Sequence, residues 1–164
     1  MIPPPRANFF DASALVKVFG REPDSAVLRS YWDSRSPTKY TSPFCFYEAL
    51  TALKVLWMYR KTITESQYHR ATERLIYWFA ATSRYNKDLD LHDPGVLADA
   101  QELAKRYSID ISDAFQILCV KKGRFSRLVN RSQTILVTAD EALAKAARSE
   151  GVRAWYCIGE AEPN

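Results

Sequence analysis

Ser132-Gln133-Thr134-Ile135-Leu136-Val137-Thr138 is the clearest buried strand in the chain, and it runs straight into a helix over 140–147 that Gly151 ends. A strand apolar on both faces has to be covered on both, which is the condition of a parallel sheet between helical layers. The same unit opens the chain: Ala7-Asn8-Phe9-Phe10 stops at Asp11 and gives way to a helix over 12–19 closed by Gly20. Further strands are expected over Thr38-Lys39-Tyr40-Thr41 and Val152-Arg153-Ala154-Trp155-Tyr156. Between these lie an amphipathic segment from Pro23 to Trp32, a helix entered at Ser42-Pro43 and ending near Tyr59, and another over 64–81 that pairs antiparallel with it. The alternation in Lys87-Asp88-Leu89-Asp90-Leu91 reads as a strand or edge segment, Asp93-Pro94 caps a helix running through Arg106, and Ser112-Asp113 begins another. Strands alternating with helices define an α/β chain, whose ligands bind beyond the carboxyl ends of the strands.

Composition narrows the chemistry. With 164 residues, 47% hydrophobic and 26% charged, the chain has material for one sizeable core, expected over 7–158 with a flexible leader at 1–6 and a polar tail at 159–164. Cys45, Cys119 and Cys157 are odd in number and far apart in apolar settings, so they read as reduced core residues and not as disulfides or zinc ligands. His69 and His92 fit no zinc spacing, and His92 reads as a loop residue. The leader lacks a signal peptide's apolar region, and no 18-residue stretch is free of charge, so a cytoplasmic protein without membrane contact is expected.

The polar residues at the strand ends are nearly all carboxylates. Asp11 follows the first strand, Asp140 follows the strand ending at Thr138, Asp113 sits at a helix start after a short link, and Glu48 lies one turn into a helix amid Cys45, Phe46, Tyr47, Ala49 and Leu50. Singly, each has a structural use: Asp11 and Asp140 as N-caps, Asp113 at an ordinary helix start, Glu48 as a solvated helix residue. Together on one rim they repel one another, which calls for a bound divalent cation or raised pKa values. Oxygen-only ligation favours Mg²⁺ or Mn²⁺.

In order and spacing, Phe9-Phe10-Asp11-Ala12-Ser13, Phe46-Tyr47-Glu48-Ala49-Leu50, Ile111-Ser112-Asp113-Ala114 and Val137-Thr138-Ala139-Asp140 resemble the PIN-domain pattern, and most closely its VapC-like toxin ribonucleases, over residues 7–156. The resemblance implies a three-layer α/β/α sandwich with a mainly parallel central sheet and, here, a protruding helical pair. It implies a Mg²⁺-dependent endoribonuclease, the toxin of a type II toxin–antitoxin module. Asp11, Glu48, Asp113 and Asp140 match the catalytic, metal-binding acids, with Ser13 and Thr138 as supporting hydroxyls. It further implies an RNA substrate, a small antitoxin protein that inserts a basic side chain among the acids, and a homodimer. Two features depart from the pattern: the segment 52–87 is long and aromatic, and Asp110 adds an acid three residues before Asp113, either a solvated link residue or a further candidate near the metal.

Other classes compete for the same residues. Asp11-Ala12-Ser13 begins the metal-adhesion motif of von Willebrand A-type domains, but Leu15 stands where a second serine belongs. An aspartyl-nucleophile phosphotransferase wants an acid two residues after the first, where Ser13 stands. A PIN fold serving as an RNA-binding or protein-interaction module without activity is the remaining alternative.

Charge distribution bears on the substrate. The net +4 comprises +5 in 52–87, +5 in 114–139 and −6 elsewhere, so two basic segments offset an acidic remainder. Lys121, Lys122, Arg124 and Arg127 are candidates for RNA binding; in 52–87 the basic residues are interleaved with Trp57, Tyr59, Tyr68, Tyr77, Trp78 and Tyr85, as stacking groups or as an aromatic core under a solvated face.

Overall fold

A computed structural model describes residues 6–34, 38–83, 89–126 and 134–164. Four parallel strands form its sheet among these residues, in the order β2-β1-β3-β4: β1 is Ala7–Phe10, β2 Thr38–Tyr40, β3 Ile135–Thr138 and β4 Arg153–Tyr156. The helices are α1 (Ala12–Gly20), α2 (Ala26–Ser34, after a 3₁₀ turn over Pro23–Ser25), α3 (Pro43–Met58), α4 (Glu65–Trp78, continued by a π turn over Phe79–Ser83), α5 (Pro94–Tyr107), α6 (Ile111–Lys122) and α7 (Glu141–Ser149).

Every residue of β1 and β3 is buried, as strands covered on both faces must be. Alternate side chains of β1 serve different layers. Phe9 meets Tyr40, which meets Phe125, whereas Phe10 packs edge-on to Trp32 and Asn8 accepts from Tyr31. From β1 the chain crosses through α1 and α2 to β2 on one side, and from β3 through α7 to β4 on the other. With right-handed crossovers those connections cover opposite faces, and the gap between β1 and β3 is the switch point where ligand sites form.

The antiparallel pair α3 and α4 packs on α1. Gly20 permits that approach: a Cβ there would stand 3.2 Å from Leu53 Cδ2. Of the aromatics in this region, Trp57 stacks on Tyr68 and Trp78 joins Trp32 and Phe19, so these three are packing residues, while Tyr59 and Tyr77 are exposed. Tyr85 lies outside the described residues.

Local chemistry shifts several boundaries. Gly20 belongs to α1, and the left-handed closing position falls on Arg21 at φ 55°. Of the segment expected as a strand at 87–91, Lys87 and Asp88 lie outside the described residues; Leu89 and Asp90 have no regular structure and Leu91 is in a turn, because Asp90 bonds its side chain to the His92 N–H instead of joining a ladder. Only Thr134–Thr138 of the expected run 132–138 is described, and β3 begins at Ile135. At the end of α7, Gly151 takes φ 78° while Val152 N–H donates to Ala147 O and Gly151 N–H to Arg148 O, the paired bonds of a Schellman closure. All three cysteines are free and buried, and burial pushes the Cys45 and Cys157 thiols up to about 12, too high for thiolate chemistry near neutrality.

Candidate metal centre

The carboxyl end of β1 delivers Asp11 to the switch point. Asp11 is the N-cap of α1, is 3% exposed, and receives three protein hydrogens. Ala14 N–H donates to Oδ1 at 2.8 Å, Thr138 Oγ1 to Oδ2 at 2.5 Å, and Ser13 Oγ lies 2.7 and 2.9 Å from the two oxygens. Each hydroxyl is itself held by the backbone beyond β3, since Ala139 N–H donates to Ser13 Oγ and Asp140 N–H to Thr138 Oγ1. With both hydroxyls accepting from an amide, their own hydrogens are directed to Asp11. A carboxylate has about four acceptor sites, so three donated hydrogens leave one direction for a cation. Ser13 and Thr138, the two hydroxyls expected as supports, both hydrogen-bond to Asp11.

The other acids reach the same rim from separate elements. Asp140 caps α7 by accepting from Leu143 N–H at 3.1 Å. Asp113 sits in the first turn of α6, and Glu48 is exposed on α3, which starts at the end of β2. The amino ends of α1, α6 and α7 therefore carry an acid into the rim, where their dipoles favour negative charge. Burial and the charges of Asp110, Asp140, Asp11 and Glu48 raise the Asp113 pKa to about 7. Burial raises Asp11 to about 6 despite its hydrogen bonds, with Asp140 adding to the rise, and burial followed by Asp110 raises Glu48. Asp113 is thus the acid on which the charges of the other three expected acids converge.

Asp110 is a fifth member. It occupies the N-cap position of α6, yet its side chain makes no capping hydrogen bond, and its charge acts on both Asp113 and Glu48. The helix starts at Ile111, earlier than Ser112-Asp113 suggested, and that brings Asp110 to the rim. The i, i+3 spacing of the two acids was the available signal.

Among the described residues no group of three or more His, Cys, Asp or Glu side chains stands close enough together to hold a metal ion. The donor chemistry nevertheless fits a hard divalent ion: carboxylate oxygens alone, with burial first and neighbouring acids second opposing their ionisation, and buried thiols outside the set. Beside the acids, a cavity of about 450 Å³ runs between α1 and α3, with Ser13, Val16, Lys17, Glu48, Leu56 and Arg60 among its lining residues.

The basic residues expected on α6 have partners. Lys121 bonds Glu150 and Lys122 bonds Asp99, and both lie eight or nine residues along the helix from Asp113, roughly 12 Å at the α-helical rise. Arg124 stands over the Phe125 ring, and Arg127 is outside the described residues. His92 is exposed in a turn, as a loop residue.

A parallel sheet with coupled carboxylates at its switch point defines a chain of the PIN-domain family, and the family model for the PIN domain matches residues 9–149, so this chain belongs to that family. PIN domains are generally nucleases and typically depend on a divalent metal. Among solved structures, the crystal structure of PAE2754 from Pyrobaculum aerophilum shares the fold, with a TM-score of 0.55 at 20% identity over 90% of this chain and 88% of that one. No curated protein matches the sequence. No helix among the described residues is long and apolar enough to cross a membrane.

Proposed function

We propose that this protein is a Mg²⁺- or Mn²⁺-dependent endoribonuclease that hydrolyses RNA phosphodiester bonds. The observation that carries the reading is the coupling of Asp113 to Asp11, Glu48, Asp110 and Asp140 at the switch point of the sheet. Asp11, Glu48, Asp113 and Asp140 would hold the ion, with Asp110 adding charge beside them. Held there, such an ion would supply neutralisation of these acids, polarisation of the scissile phosphate and activation of a water. Asp11 is the fixed member, held through Ser13, Thr138 and Ala14 N–H. Glu48 faces the α1/α3 cavity, where it would orient the water for in-line attack. Without a cation the carboxylates repel the RNA they act on.

Asp11→Asn and Asp113→Asn keep the side-chain size and remove the charge. Each is expected to abolish metal-dependent cleavage of a panel of structured RNAs while the far-UV spectrum is retained; undiminished cleavage by either would refute the site.

The resemblance to VapC-like toxins supports a biological role as the toxin of a type II module, acting as a homodimer held in check by a small antitoxin. Expression is then expected to arrest growth, with relief by the product of an adjacent gene. A chain with no growth effect and no such neighbour would instead favour the RNA-binding or protein-interaction module without nuclease activity.

A further inference from the structure

Beyond the acid rim, at the far end of α1, lies a second and larger cavity of about 910 Å³, at the upper end of the range for ligand sites. Arg21, Arg29, Arg70 and Arg74 line it, and Glu22 is the one acid among its described lining residues. Glu22 is itself paired with Lys17 at 3.1 Å, so it offers these arginines little compensation. None of the four arginines makes an ion pair or hydrogen bond among the described residues, in contrast to Arg106 and Arg148, which do. Arg70 and Arg74 are also an i, i+4 pair of like charge on α4, an arrangement that weakens a helix. The fold therefore concentrates here four guanidinium groups that have no ion pair or hydrogen bond among the described residues.

Position relates this cavity to the acids. Glu22 lines both cavities, so they adjoin, and the smaller one leads along α1 from Ser13 past Lys17. From Asp11 to Arg21 the chain advances ten residues along α1, roughly 15 Å. That is about four nucleotides at the ~3.4 Å spacing of a stacked strand.

We propose that the arginine cavity is an anchor for the phosphate backbone of single-stranded RNA, several nucleotides from the bond held at the acids. This rests on the ribonuclease reading for its substrate. Guanidinium groups suit the task because their planar fork grips phosphate oxygens in pairs. Anchoring at this distance holds a strand whose scissile phosphate meets an acidic centre, and it selects for chains longer than the cleaved dinucleotide.

The test is fluorescence anisotropy with a labelled single-stranded oligoribonucleotide on the full chain in chelator, where cleavage does not interfere. Arg70→Gln/Arg74→Gln is expected to weaken binding at least about tenfold at low salt and to lower the slope of log affinity against log salt by about 1.4, the value for two phosphate contacts on a single strand. Arg70→Lys/Arg74→Lys, which keeps the charge, is expected to recover part of the affinity and most of the slope. Unchanged binding in the Gln variant, with its circular dichroism intact, would overturn the proposal. So would a polyglutamate peptide that binds as tightly as RNA and loses affinity in the same variant, since the cavity would then be a seat for an acidic protein segment. Wild-type cleavage, measured separately with metal, reports on the ribonuclease reading: RNA binding lost in the Gln variant without wild-type cleavage would refute the enzyme and leave the anchor standing.

Discussion

Thr138 gives its hydroxyl hydrogen to Asp11 and receives the Asp140 N–H, so one buried side chain ties the two strand ends of the site together. Thr138→Val keeps the shape and leaves Asp140 N–H without that acceptor and Asp11 without its closest donor. A loss of about 1–3 kcal/mol is expected in urea unfolding, together with weaker metal binding; an unchanged midpoint would show that the network is dispensable. Asp11 and Asp140 were legible in the sequence because a strand that stops at an acid and passes into a helix leaves little choice of position. Glu48 was legible by contrast with its apolar neighbours. Asp110 was harder to assign because its place depends on which residue begins α6, and a shift of one residue there moves a side chain by about 100° around the helix.

Glu150, at the carboxyl end of α7, joins three elements: it accepts from Arg106 and Tyr107 of α5 and from Lys121 of α6. Those partners, Lys121 first, lower its pKa to about 2. A carboxyl depressed in the fold stabilises above its unfolded pKa, and the contribution disappears as pH falls from the usual carboxylate range toward 2. Glu150→Gln is therefore expected to lower Tm at neutral pH, with the difference from wild type shrinking on acidification through that window; a pH-independent difference would show that packing alone is at stake. Such pairings were not readable from sequence, where Lys121 and Lys122 stood out only as part of a basic run. Helices were more legible than their closures: periodicity located α3 and α4, but the left-handed position after α1 falls on Arg21, one residue beyond the glycine that pattern alone would choose. The alternation at 87–91 misled because a local Asx turn competes with strand pairing.

Across the whole molecule, the net charge of +4 conceals an acidic centre at one end of α1 and an arginine cavity at the other. The cost of the acidic centre is visible without substrate. Because the fold raises Asp113 from 3.8 to about 7, the folded chain holds a proton that the unfolded chain releases between those values. Stability in chelator is then expected to fall as pH rises from about 4 through 7, and Asp113→Asn to flatten that decline in a Tm series. A divalent ion would relieve the same repulsion by displacing protons, which makes calorimetric titration the most direct test of the central claim that these carboxylates form one cation site. Titrating Mg²⁺ or Mn²⁺ near pH 6 in buffers of different ionisation enthalpy should give saturable binding with proton release, fading by about pH 8 and abolished in Asp113→Asn. Absence of saturable binding, or binding without proton release that Asp113→Asn leaves intact, would contradict it.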